Sequence, residues 1–89
     1  MSPGEWTVVF GRNAERDMRR LDPSVRGRVV TALETLATDR HRPGALRKPT
    51  GAPESRLRVG DWRALVELEE QSRTIKVVRV LPRGHAYDR

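Results

Sequence analysis

The sequence predicts an α+β domain of order β-α-α-β-β-β, a mainly antiparallel sheet with an N-terminal helix pair packed on one face. Three observations predict it. A short alternating apolar stretch opens the chain, and two apolar stripes at helical spacing follow it. The second half then holds three more alternating runs. The helical stripes meet at Asp22-Pro23 and two of the late runs meet at Gly60-Asp61, so each half folds back on itself.

Trp6, Val8 and Phe10 alternate with Thr7 and Val9, the pattern of a strand. After Gly11 and Arg12, Asn13 is the expected N-cap of a helix that carries Ala14, Met18 and Leu21 on one face. Asp22 then caps a second helix with Pro23 at its first position, and Val25, Val29, Leu33 and Leu36 form its stripe. Gly27 lies inside this helix and costs it about 1 kcal/mol relative to alanine. From Thr38 to Pro53 the three prolines and two glycines predict a loop without regular structure, with Leu46 as its apolar anchor. Ser55 to Val59 alternates again, Gly60-Asp61 makes a two-residue turn, and Trp62 to Leu68 returns. A polar turn, Glu69 to Arg73, leads to a last strand from Thr74 to Leu81, which Pro82 ends. No repeat or linker divides the 89 residues, which make one domain over residues 1–89.

The net charge of +6 points to a polyanionic partner, nucleic acid first. Its distribution is more informative than its total. Between Arg40 and Arg63 stand seven basic residues and two acidic ones, Glu54 and Asp61. Sixteen of the 18 basic residues are arginine, which grips phosphate through a planar fork that lysine lacks. GC-rich coding accounts for much of that general preference, though not for the local cluster. The absence of cysteine excludes disulfides and thiolate metal sites. No segment approaches the roughly 20 apolar residues of a membrane span. The start, Met1 to Glu5, lacks the basic and apolar runs of a signal peptide. The expected location is the cytoplasm.

A two-residue turn at Gly60-Asp61 sets Val59 opposite Trp62, Arg58 opposite Arg63 and Leu57 opposite Ala64. Opposite residues share a face. Leu57, Val59, Trp62, Ala64, Val66 and Leu68 are then the buried side of the hairpin. Arg56, Arg58 and Arg63 project from the other side, which the helices leave open to water or a ligand. Like charges placed opposite one another are unfavourable, so an anion among them is the economical explanation. A solvated face with ordinary ion pairs, Glu67 among them, is the plainer one. The tail adds Arg83, His85 and Tyr87 just after the last strand. A catalytic metal needs about three protein ligands. The two histidines, His41 and His85, and the scattered carboxylates do not supply them, so no metal or other cofactor is expected, and His41 reads as a surface residue.

Over nearly its whole length the chain resembles the RelE/ParE superfamily of toxins. The resemblance is carried by the opening strand Trp6-Thr7-Val8-Val9-Phe10, the helix pair around Leu21-Asp22, and the helix end at Leu36-Ala37. Its most specific part is Arg56-Leu57-Arg58-Val59-Gly60-Asp61-Trp62-Arg63-Ala64-Leu65, which looks like the superfamily's arginine-rich hairpin. The ending Val80-Leu81-Pro82-Arg83-Gly84-His85-Ala86-Tyr87 is similar to its basic-to-tyrosine terminus. The resemblance implies a type II toxin that cleaves mRNA in the ribosomal A site and is held by a cognate antitoxin. Through that antitoxin it also implies a larger complex on operator DNA. It matches Arg56 and Arg58, Arg63, Arg83 and Tyr87 to the basic and tyrosine positions of RelE-like members. Two departures stand out. Arginine replaces lysine on the first hairpin strand, and Pro82-Arg83 replaces His-Arg, with a histidine arriving later as His85.

RNA cleavage without a metal uses the ribose 2′-OH as nucleophile and leaves a 2′,3′-cyclic phosphate and a 5′-OH. A dianionic phosphorane lies between them, and arginine donors suit it. Arg56, Arg58, Arg63 and Arg83 are therefore candidates for phosphate binding, with Arg58, Arg63 and Arg83 stabilising the transition state. Arginine is a poor proton carrier, since its pKa exceeds about 12. His85, with an intrinsic pKa of about 6.5, and Tyr87, whose phenolate nearby arginines favour, are the acid–base candidates. Tyr87 can also stack on a base. Two other readings stay open: a ParE-like toxin that inhibits DNA gyrase by binding it, and a non-catalytic nucleic-acid-binding module.

Overall fold

The computed structural model describes residues 6–38, the pairing of 46–47, and residues 55–84. In chain order the elements are β1 (Thr7–Phe10), α1 (Arg12–Arg19), α2 (Pro23–Thr38), β2 (Leu46–Arg47), β3 (Ser55–Val59), β4 (Trp62–Glu69) and β5 (Thr74–Pro82). The strands form one sheet in the order β1-β5-β4-β3-β2. β2 to β5 pair antiparallel with their chain neighbours, whereas β1 pairs parallel with β5. The α+β class and the helix pair are as expected. The two-residue β2 is not: regular structure does occur between Thr38 and Pro53. Leu46 pairs with Leu57 and Arg47 with Arg56, which satisfies backbone groups on the outer edge of β3.

The start of α1 is also corrected. Gly11, extended at φ −71° and ψ 168°, is the N-cap without a side-chain cap bond, and Asn13 is the second residue of the helix. Gly11 N–H donates to Val77 O at 2.9 Å, so the β1–β5 ladder runs into the cap. The helix begins where the strand pairing stops. A Cβ on Gly11 would stand 3.4 Å from Val77 O, a close approach that suits glycine. The Asp22-Pro23 start of α2 is as read, with Arg26 N–H donating to Asp22 O at 2.9 Å. Arg26 also donates through Nε to Met18 O and through Nη2 to Leu21 O, both at 3.0 Å. These bonds give Met18 O a second donor beside the Leu21 N–H and cap Leu21 O, and so tie the two helices together.

Both helices pack on one face of the sheet. Ala14, Met18, Leu21, Val29, Leu33 and Leu36 meet Leu57, Val59, Ala64, Val66, Ile75, Val77 and Val80 there. Val25, Trp62 and Leu68 lie half-buried at its margin. Gly27 is exposed, and a Cβ on it would meet nothing within 4 Å. Gly27→Ala should therefore raise stability by about 1 kcal/mol, measured by urea unfolding, with no change in m-value. No helix among the described residues is long and apolar enough to cross a membrane.

The opposite face is not open throughout. Leu65 is 1% exposed and Arg63 is 9% exposed, although both point away from the helices. Arg56 and Arg79, both half-buried, stand directly opposite Leu65 on the flanking strands, and long arginine stems cover apolar surface.

Beyond Phe10, β5 loses β1 as a neighbour and α1 takes the place beside it. Asp17 of α1, itself buried, accepts the Val80 N–H at 2.9 Å. The same carboxylate accepts Arg79 Nε at 2.8 Å and Nη2 at 3.2 Å. These hydrogen bonds hold the Arg79 guanidinium above its ordinary range against the opposing effect of burial, so it stays charged at every accessible pH.

Candidate nucleic-acid interface

The β3–β4 hairpin organises the site. Gly60 has φ +58°, and among the described non-glycine residues only Arg73 has positive φ. Positive φ at the first central position alone is the pattern of a type II′ turn, where glycine is the preferred residue. The turn yields the expected register: Val59 opposite Trp62, Arg58 opposite Arg63, and Leu57 opposite Ala64.

Arg58 is exposed, but Arg63 does not reach out beside it. Its Nη1 donates to Gly60 O at 2.9 Å and to Trp62 O at 2.8 Å, drawing the guanidinium into the turn. Repulsion from Arg58 directly across the ladder favours the same placement. Two bonds on one nitrogen leave Nε and Nη2 as donors, so Arg63 keeps capacity for an anion while bracing the loop. Arg83 arrives from β5. Trp62 pairs with Pro82, and Arg83 N–H donates to Asp61 O at 2.8 Å. Arg58, Arg63 and Arg83 are thus brought to one end of the sheet around Gly60-Asp61. Arg56 sits further in, opposite Leu65. Glu67, which the plainer reading would pair with these arginines, is opposite Lys76, at a distance from the turn along β4. His85, Tyr87 and His41 lie outside the described residues.

One contributor was not expected. Arg28 of α2 brings Nη1 to within 3.6 Å of where a Cβ on Gly60 would stand. In sequence it is an ordinary polar position beside Val29, and nothing in its spacing links it to residue 60. Among the described residues, no carboxylate is found in an ion pair with Arg28, Arg58 or Arg83, and Asp61 is the one acid of the turn itself. Nor does any group of three or more His, Cys, Asp or Glu there suit a metal ion. The described part of the turn is therefore rich in guanidinium groups, of which Arg63 is held by hydrogen bonds and Arg58 and Arg83 are exposed.

The fold is shared with solved toxins. The toxin–antitoxin complex RelBE2 from Mycobacterium tuberculosis is 29% identical, with TM-score 0.74 over 89% of this chain and 99% of that one. The RelB-RelE antitoxin–toxin complex from Methanococcus jannaschii is 25% identical, with TM-score 0.67 over 90% of this chain and 95% of that one. A free-state mutant of Escherichia coli RelE shares the fold at 17% identity, with TM-score 0.74 over 93% of this chain and 88% of that one. Fold and hairpin together define a toxin of the RelE/ParE superfamily. The family model described as the ParE toxin of the type II toxin–antitoxin system parDE matches residues 8–87. The chain belongs to that family and is a type II toxin. No curated protein matches the sequence.

Proposed function

We propose that this toxin is a metal-independent endoribonuclease that cleaves mRNA in the ribosomal A site. The observation that carries the reading is the convergence of Arg58 from β3, Arg63 from β4 and Arg83 from just beyond β5 on a single two-residue turn. Arg58 and Arg83 grip the non-bridging oxygens of the scissile phosphate, and Arg63 supports them from the turn. Arg56 holds the RNA further along β3. The 2′-OH attacks phosphorus, the P–O5′ bond breaks, and the products are a 2′,3′-cyclic phosphate and a 5′-OH. Arginine donors strengthen as the phosphorane gains charge. Tyr87 or His85 takes the proton from the 2′-OH or returns one to the leaving oxygen.

Several of the solved relatives are complexes with antitoxins, so a cognate antitoxin is the proposed partner of this chain, and through it operator DNA. Exposed apolar surface for such a partner exists at Val30, in a cleft of about 350 Å³ lined also by Phe10, Glu15, Met18 and Arg19. mRNA and ribosomes place the activity in the cytoplasm.

Primer extension on programmed ribosomes tests the reading. The purified chain should cut within the A-site codon and leave 5′-OH ends, and Tyr87→Phe or His85→Ala should lose the cut. An intact message under those conditions sinks it. The ParE family match favours one second reading, inhibition of DNA gyrase by binding. Loss of supercoiling by gyrase, with the message uncut, would establish that reading instead.

A further inference from the structure

We propose that Arg28 is an additional RNA-phosphate contact, which extends the site around the hairpin tip from the sheet face onto α2. The inference rests on the reading of the arginine cluster as an RNA site. The cluster is otherwise built from β3, β4 and the end of β5, which belong to one layer. Arg28 comes from the helix layer, yet its Nη1 stands 3.6 Å from the Cβ position of Gly60. Gly60 is also the residue whose carbonyl receives Arg63 Nη1 at 2.9 Å. Two guanidinium groups from different layers therefore meet the same residue of the turn.

Among the described residues, no side-chain bond holds Arg28 there. It makes no hydrogen bond or ion pair with the described residues, unlike Arg26 two residues earlier, whose Nε and Nη2 both cap carbonyls of the helix pair. It is an exposed residue of α2. Arg58, Arg63 and Arg83 surround the same turn, so its placement adds to a like-charge cluster that an anion would relieve. The single acid nearby, Asp61, is outnumbered. A glycine at residue 60 allows the φ of +58°, and Arg28 packs against the turn at ordinary contact distance. A phosphate bridging Arg28 and Arg83 over the tip would neighbour the scissile one, so Arg28 serves grip and register on the RNA, with no part in bond-making.

The test separates this contact from charge loss in general. The probe is a short single-stranded RNA methylated at every 2′-OH, which binds but cannot be cut by 2′-OH attack. Its affinity is read by fluorescence anisotropy across a salt series for the wild-type chain, Arg28→Ala and Arg73→Gly. Arg73 lies in the turn between β4 and β5, at the opposite end of the hairpin, so its loss removes one charge away from the tip. Each phosphate contact on a single strand adds about 0.7 to the slope of log affinity against log salt. Arg28→Ala should lower the slope by about that amount and weaken binding several-fold at low salt, whereas Arg73→Gly should leave the slope within about 0.2 of wild type. Equal slopes for Arg28→Ala and wild type, or equal changes in both variants, would overturn the contact. Arg28→Lys should restore the slope, which guards against a folding defect. The cleavage assay is independent: an uncut message overturns the ribonuclease reading, while an unchanged slope with a cut message overturns only Arg28.

Discussion

Arg58→Ala and Arg83→Ala should each slow A-site cleavage by about 10²–10³-fold, the usual cost of removing one preorganised donor from a developing oxyanion. The loss should fall mainly on the rate at saturating ribosome complex and less on apparent affinity. A donor that strengthens as charge develops acts on the transition state more than on the ground state. Lysine should recover only part of the rate at either position, because its point charge lacks the two-pronged geometry. Neither residue carries a described structural bond through its side chain, so both variants should melt close to wild type. Arg63→Ala is expected to differ. It removes two bonds to the turn carbonyls at Gly60 and Trp62, so it should lose about 1 kcal/mol of stability together with activity. Single-turnover cleavage and thermal melts on the same preparations check the whole set. Wild-type rates in both Arg58→Ala and Arg83→Ala would remove the phosphate role from the cluster.

Much of this site is legible in the sequence because a two-residue turn has few solutions. Gly60-Asp61 between alternating runs determines the register, and the register alone puts Arg58 opposite Arg63. The helix pair is legible for a similar reason: Asp22-Pro23 is a local signal, and local signals survive folding. What the sequence conceals is mostly long-range. Arg63 is the local exception: its conformation depends on carbonyls exposed by the turn, so its face could be read but not its hold on Gly60 O and Trp62 O. β2 is concealed because two residues carry no period, and its pairing depends on the edge that β3 offers. The cap at Gly11 is set by a ladder bond to Val77, 66 residues away in chain order, against which the local preference of Asn13 for an N-cap has no weight. Arg28 and Asp17 are the strongest cases. Each looks like one more surface charge on a helix, and each owes its surroundings to a segment that returns more than thirty residues later, the β3–β4 turn for Arg28 and β5 for Asp17.

Asp17→Ala is the substitution expected to damage the fold most, by about 3 kcal/mol. Three losses combine. The Val80 N–H, whose bond to Asp17 is buried, loses its acceptor, and an unsatisfied buried donor costs about 1–3 kcal/mol. The paired bonds to Arg79 disappear as well. The Arg79 side chain is 36% exposed, so water recovers part of that loss, and the pair contributes less than a fully buried one would. Finally, the edge of β5 beyond β1 loses the group that fastens α1 to it. For a domain of this size, 3 kcal/mol lowers the melting temperature by roughly 12–24 °C. Asp17→Asn keeps an oxygen for Val80 and should cost about half as much. Arg79→Ala leaves the carboxylate in place with the Val80 bond intact and should fall between wild type and Asp17→Ala. The consequence reaches the site, because the same stretch of β5 carries Pro82 and Arg83 to the hairpin turn. Asp17→Asn, assayed well below its melting point, should therefore cleave more slowly than wild type, and Arg83→Ala placed on top of it should add less than it does alone. Fully additive losses in that double mutant would make Asp17 a stabilising residue with no hold on Arg83. A melting temperature within 3 °C of wild type for Asp17→Ala would remove the carboxylate from any part in fastening the sheet edge.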